Sequence, residues 1–315
     1  MFALLYTGQG AQSPGFLHRL PPHAAVAATL DEASDVLALD VGQLDTAEAL
    51  RSSIAVQIAL VVAGVAVQRR LAAAGIEAHA HAGLSVGAYA AAVGSGALSF
   101  ADALRMVRMR AELMERAYPS GYGLSAIEGL TEAQVEALIE PLASSPNTQV
   151  YIANVNAPRQ IVVAGSVTAL DAFNERATTA GAHRAKRLMV SVPSHCELLR
   201  EASDALVAYA AGVEFRSPAS LYIGNRRARA LYRPADIRDD LATNMRYTVR
   251  WFDALTALVE RGATLLVEAP PGQVLTDIAR EAYPEITALA AASFEGDRWV
   301  AVVERRLTGR HTPPT

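Results

Sequence analysis

The chain carries one cysteine, Cys196, and one lysine, Lys186, in 315 residues. A single cysteine excludes an intrachain disulfide and any zinc site built from several thiolates. With lysine nearly absent, arginine supplies almost all the positive charge, yet the net charge is −4. No basic stripe stands out, so nucleic acid is not an expected partner. The opening "MFALLYTGQGAQ" lacks a basic n-region, and its apolar run is too short for a signal peptide. The longest apolar stretch, Ile54 to Val67, is interrupted by Gln57. It is shorter than the roughly 18–20 residues a bilayer span needs, and it reads as a buried helix. These absences lead to the expectation of a cytoplasmic protein with no membrane partner. What is present is apolar: 51% hydrophobic residues against 19% charged ones, enough for a sizeable core.

Element order points to an α/β protein. Phe2 to Tyr6 reads as a buried strand, followed by a Gly8-Gln9-Gly10 loop. Helices are expected at 29–39 and 52–74, a strand at 78–84, and helices at 86–95 and 102–117. Alternating buried strands and helices imply a mostly parallel sheet. From 122 to 190 the order changes to β-α-β-β-α-β, a ferredoxin-like pattern, with Thr131 as a helix N-cap. A helix at 196–211, a strand at 219–224, one long helix at 241–261, a strand at 265–268 and a closing helix at 273–283 follow. The expected organisation is a hydrolase-like α/β core of residues 1–121 and 191–307. A small ferredoxin-like α+β domain at 122–190 interrupts it, and a disordered tail at 308–315 ends the chain.

Within "AGLSVGAYAAA", Ser85 lies between Gly83 and Gly87 at a strand-to-helix junction. Gly-x-Ser-x-Gly in that setting is a nucleophile elbow, which projects the hydroxyl from the carboxyl edge of a sheet. The amide of Val86 then faces a developing oxyanion. The competing reading is a tight turn that simply needs small residues. A serine nucleophile needs a base. Of seven histidines, His18 and His23 lie in an early loop, His183 in another and His311 in the tail. Alternation puts His79 and His81 on one face of the elbow strand, where a partly exposed strand edge is the plainer reading. His195, in "VSVPSHCELL", follows a strand and a proline at a helix start, the edge where α/β proteins bind ligands. It is the best-placed base; the alternative is a helix-capping polar residue. Cys196 beside it reads as a small buried residue, with a reactive thiol as the alternative.

The segments "TGQGAQ", "GLSVGAY", "ALRMVRMRAELM", "ANVNAPRQIVVAG", "VSVPSHCELL", "YTVRW" and "EAPPGQVLTDIAR" occur in order across nearly the whole chain. Together they resemble the malonyl-CoA:acyl-carrier-protein transacylases and related acyltransferase domains. The resemblance implies that Ser85 accepts the acyl group and His195 is the catalytic base. It implies that Arg110 pairs with the free carboxylate of malonyl, and that the backbone amides of Gln9 and Val86 form the oxyanion hole. The histidine is oriented by a backbone carbonyl, here of Asn244, where the family usually has glutamine. Gly272 matches a glycine turn beside the pocket. The implied partners are malonyl-CoA and an acyl carrier protein, which supplies a phosphopantetheine-type thiol; no bound cofactor and no metal are implied.

The fatty-acid-synthesis branch usually reads Gly-His-Ser-x-Gly-Glu after a Pro-Gly-Gln-Gly loop. Here the corresponding positions hold Leu84, Ala88 and Thr7. Together with "DVGQLDTAEAL" and "YPSGYGLSAIEGL", these departures look more like the malonyltransferase (epsilon) subunit of bacterial malonate decarboxylase. Its acceptor would be a carrier subunit bearing phosphoribosyl-dephospho-CoA, with other decarboxylase subunits as further partners. The alternatives are the transacylase of fatty-acid synthesis and an acyl thioesterase or hydrolase.

Overall fold

The computed structural model describes residues 1–142 and 149–309. In chain order the first half of the core comprises β1 (Phe2–Tyr6), α1 (Ala24–Leu37), α2 (Ser53–Ala72), β2 (Ala80–Gly83), α3 (Gly87–Gly94) and α4 (Phe100–Ala117). The second sheet follows as β3 (Tyr122–Glu128), α5 (Glu132–Ile139), β4 (Val150–Ala157), β5 (Gln160–Ser166), α6 (Val167–Thr179) and β6 (Arg184–Arg187). The chain returns to the core with α7 (Arg200–Ala210), β7 (Leu221–Ile223), β8 (Ala230–Leu231), α8 (Pro234–Thr243) and α9 (Trp251–Glu260). It finishes with β9 (Leu265–Glu268), α10 (Val274–Ala282), β10 (Thr287–Ala290) and α11 (Arg298–Thr308).

The core sheet runs β10-β9-β1-β2-β7-β8, parallel except for the β7–β8 pair. Its central strand is apolar at every position because both faces are covered. Phe2, Leu4 and Tyr6 face the cluster built with α1 to α4, while Ala3 and Leu5 face the one built with α9 and α10. Helix α2 is long and apolar enough to cross a membrane by composition alone, but most of its surface is buried inside the protein. A helix that is apolar all round belongs in such a core.

The second sheet is antiparallel, ordered β4-β5-β3-β6. With α5 and α6 crossing between its strands this is the ferredoxin-like arrangement expected from element order. Thr131 caps α5 in a reciprocal capping box with Gln134. The sheet is tied to the core where Val155 N–H donates to Val249 O (2.9 Å) and Val249 N–H donates to Ala153 O (2.9 Å).

Four expectations need correction. The single helix at 241–261 is two helices, α8 and α9, separated by 244–250. That segment turns its backbone outward: the carbonyls of Asn244 and Met245 accept from His195, and Val249 pairs with the small sheet. The strand expected over "AKRLMVSVP" (185–193) stops at Arg187: Leu188 N–H makes a last bond to Leu124 O (2.8 Å), and the chain then leaves the sheet for the core. Helix α10 does not close the fold: β10 adds an edge strand beside β9, and α11 packs Trp299 into the core. Of the tail at 308–315, Thr308 ends α11 and Gly309 follows it at φ +65°, while 310–315 lie outside the described residues.

Candidate active site

The turn after β2 is as tight as its sequence implies. A Cβ on Gly83 would lie 2.1 Å from the Gly87 carbonyl carbon, and one on Gly87 2.2 Å from Tyr6 O. Neither position admits a side chain, because backbone stands on both sides. Ser85 itself adopts φ +55°, a left-handed conformation that is unfavourable for a residue with a Cβ. Strain of this kind collects where surrounding structure fixes a reactive group.

His195 Nε2 lies 2.7 Å from Ser85 Oγ. On the other side of the ring, Nδ1 lies 2.6 Å from the Asn244 carbonyl, which can only accept. That bond places the ring proton on Nδ1 and leaves the Nε2 lone pair facing the serine hydroxyl. His195 also has positive φ (+64°), and its own N–H donates to Met245 O at 2.7 Å. Burial first, and the Arg110 charge second, lower its pKa to about 3, so the imidazole is neutral at physiological pH.

Arg110 is carried on the apolar face of α4 and is only 1% exposed. Its Nη2 donates to Ser85 Oγ (3.3 Å), its Nε to Asn244 Oδ1 (3.3 Å) and its Nη1 to Gln57 Oε1. All three acceptors are neutral, and among the described residues no carboxylate pairs with it. A buried cation held only by neutral groups is costly, and burial lowers its pKa. The site therefore stands ready for an anion beside the serine.

Ser85, His195 and Arg110 line a cavity of about 40 Å³ together with Gln9 and Val86. Among the described residues, neither the Gln9 nor the Val86 amide donates a hydrogen bond within the protein. The Gln9 side chain donates to Ser53 Oγ (3.3 Å). Gly272, at φ +82°, packs close behind this loop: a Cβ there would meet Ala11 Cβ at 3.0 Å. The structure thus gathers Ser85, His195, Arg110, Asn244, Gln9 and Val86 in one place.

The remaining candidates lie elsewhere. His81 is not at an exposed edge. It is 2% exposed, bonded to Tyr6 OH at 2.8 Å, and burial lowers its pKa to about 4. His79 is exposed, as the strand-edge reading has it, and accepts from Phe2 N–H. His23 caps α1, His18 contacts Asp45, His183 lies beside Glu128, and His311 is outside the described residues. Cys196 is buried, its Sγ donates to Pro193 O (3.2 Å), and burial raises its pKa to about 12. A thiol held protonated in this way is inert.

Two residues escaped the sequence reading. Gln57, noted only as a break in an apolar run, is the polar group that orients Arg110. Asn225, just past β7, accepts from Ser85 N–H and donates to Gly83 O, both at 2.8 Å. A polar residue inside an apolar helix, and another directly after a short buried strand, were the available signals.

Comparison with known proteins agrees with this geometry. The acyl transferase domain family matches residues 3–305. A malonyl CoA-acyl carrier protein transacylase of Salmonella typhimurium is 36% identical over 295 residues, covering 92% of this chain and 95% of the relative. The malonyl CoA-acyl carrier protein transacylase structure from Coxiella burnetii superposes with a TM-score of 0.92 at 33% identity, over 98% of both chains. A malonyl-transacylase solved with a type II polyketide acyl-carrier protein gives a TM-score of 0.90 at 32% identity, covering 98% of this chain and 99% of that one. With its length matched and the serine elbow, histidine and buried arginine assembled, this chain belongs to the acyl transferase domain family.

Proposed function

We propose that the protein is a malonyl-CoA:acyl-carrier-protein S-malonyltransferase working through a Ser85 ester. One observation carries the reading: an unpaired buried guanidinium, Arg110, lies 3.3 Å from the oxygen of a serine that is already bonded to a neutral histidine. A planar guanidinium can grip a carboxylate through two parallel hydrogen bonds. Malonyl presents such a carboxylate two bonds from its thioester carbonyl; acetyl does not.

In the first half-reaction His195 Nε2 takes the Ser85 proton as Oγ attacks the malonyl thioester. The oxyanion that forms is met by the free amides of Gln9 and Val86, a contribution worth ~10²–10³ in rate per donor. The C–S bond breaks, His195 returns the proton to the CoA sulfur, and malonyl remains on Ser85 as an ester. In the second half-reaction His195 removes the proton from the carrier's phosphopantetheine-type thiol, which attacks the ester, and Ser85 is regenerated with the same proton. The Asn244 carbonyl stabilises the imidazolium in both halves. The malonyl carboxylate has a second effect. It cancels the Arg110 charge that depresses His195, so the base gains proton affinity when the correct acyl group is in place.

For the acceptor, relatives named as malonyl CoA-acyl carrier protein transacylases support an ordinary acyl carrier protein. That is the alternative of the sequence reading, and it is better supported than the malonate decarboxylase carrier placed first there. The second reading rests on sequence features only: Thr7, Leu84 and Ala88, with the segments "DVGQLDTAEAL" and "YPSGYGLSAIEGL". Ala88 is fully buried in α3, so the acidic residue of the fatty-acid branch has no counterpart at that position. The test is intact-protein mass spectrometry after brief mixing with malonyl-CoA or acetyl-CoA. A malonyl adduct that Ser85→Ala abolishes is expected, and the adduct should then discharge to one of the two carrier types. Steady CoA release with no adduct would indicate a hydrolase instead.

A further inference from the structure

The nucleophile turn is held by a side chain from outside it. Ser85 sits at φ +55°, so its turn must be restrained by its surroundings. Gly83 C=O and Ser85 N–H flank the turn, and both bond to one group, the Asn225 amide. Oδ1 accepts from Ser85 N–H and Nδ2 donates to Gly83 O, each at 2.8 Å. β7 pairs with β2 in parallel register, Ala82 against Ile223, which brings Asn225 alongside the elbow. Asn225 is 3% exposed and its bond to Gly83 O is buried, so that carbonyl depends on the amide for its partner.

Asn225 is itself anchored. Its N–H donates to both carboxylate oxygens of Asp240 (3.1 and 3.0 Å), and Arg226 N–H donates to Oδ1 of the same carboxylate (3.1 Å). Tyr222 OH donates to Asp240 Oδ2 at 3.3 Å. On the opposite side, Asn244 Nδ2 donates to Ser85 O at 3.2 Å. The Ser85 peptide is therefore clamped at its N–H by one asparagine and at its carbonyl by another.

We propose that Asn225 is a positioning residue whose amide, bridging Gly83 O and Ser85 N–H, aims the Ser85 hydroxyl at His195. The proposal rests on the reading of Ser85 as the acyl acceptor. Only a group that donates on one side and accepts on the other satisfies the bridge. An aspartate at 225 accepts from Ser85 N–H but sets a carboxylate oxygen against the Gly83 carbonyl. Once protonated, its O–H donates to Gly83 O and the bridge is complete again. The charged and titratable groups around this position are Asp240 and Tyr222 behind it and Arg226 beside it. His195 and Arg110 stand across the elbow. All are the same in wild type, which serves as the control for their own titration.

The experiment measures the rate of Ser85 malonylation by quenched-flow mass spectrometry for wild type, Asn225→Asp and Asn225→Leu between pH 5 and 8. A misplacement of reacting atoms by about 1 Å costs on the order of 10²-fold. Asn225→Asp is expected to acylate ~10²-fold more slowly than wild type at pH 8 and to recover at least about tenfold of that gap by pH 5. Asn225→Leu stays slow throughout, and KM for malonyl-CoA changes little in either, because Gln57 and Asn244 still hold the Arg110 guanidinium. An Asn225→Asp rate equal to wild type at pH 8, or a gap that does not change with pH, would overturn the proposal while leaving Ser85 in place. No adduct on wild type would overturn the Ser85 reading and this proposal with it. Should Asn225→Asp fail to fold, hydrogen exchange on wild type decides: the Ser85 amide is expected to be as protected as those within α3, and exchange at open-loop rates would refute the bridge.

Discussion

Replacing Arg110 by methionine removes a buried charge while keeping a long side chain in its place on α4. The guanidinium is 1% exposed and spends its donors on Gln57, Asn244 and Ser85. On the proposed reading, bound malonyl exchanges at least one of these neutral contacts for a carboxylate pair. Breaking a buried pair of that kind costs about 3–5 kcal/mol, because the remaining charge is left without a partner. At 1.4 kcal/mol per tenfold, malonyl kcat/KM should fall by roughly two to three and a half orders of magnitude. Acetyl should move the other way. It has no carboxylate to lose, and Arg110→Met removes the cation that depresses the basicity of His195. Packing damage lowers both rates together, so the informative quantity is the malonyl-to-acetyl ratio of kcat/KM. Transfer to a carrier thiol, read by mass in parallel reactions with the two CoA thioesters, measures it. A ratio within about threefold of wild type would refute the carboxylate clamp.

Two further predictions concern stability and reactivity. His81 is buried neutral, with its pKa lowered from 6.5 to about 4. The unfolded chain therefore binds more protons than the native one as pH falls from 6.5 towards 4, and stability is lost over that window. The linkage amounts to about 2 kcal/mol between pH 8 and pH 5 for this residue. Asp240 and Glu268, whose pKa values are raised by burial, oppose it. The comparison is thus between wild type and His81→Gln: urea unfolding at pH 8 and pH 5 should show a smaller loss in the variant, and equal losses would exclude His81 as the source. Cys196, buried and protonated, should resist a thiol reagent in the folded protein and react only on unfolding. Fast labelling with loss of activity at neutral pH would contradict its buried environment.

The α/β order, the small antiparallel sheet and the glycine-flanked serine were legible in the sequence because each rests on local pattern. Buried strands read as short apolar runs, and the turn at Ser85 needs glycine for reasons of backbone contact alone. The 241–261 segment shows where that reasoning stops. Helix-compatible residues continue through it, but the carbonyls of Asn244 and Met245 serve His195, 49 residues earlier in the chain. No local preference encodes that demand. The late elements β10 and α11 were missed for a related reason: β10 is a four-residue edge strand whose identity comes from pairing with β9.

The candidate site divides in the same way. The serine elbow and a strand-end position pointed to Ser85 and His195 as nucleophile and base, and the family resemblance pointed to Arg110 among its neighbouring arginines. Gln57 and Asn225 carry no such pointer as isolated letters. They became part of the site because α2 crosses behind Arg110 and β7 ends beside the elbow. The state of each group was likewise decided in three dimensions. His195 is neutral, Cys196 is inert and Arg110 is unpaired because burial and neighbours set the energy of a charge. The sequence determined which chemistry was available; packing determined which groups meet, how they are aimed and which of them are charged.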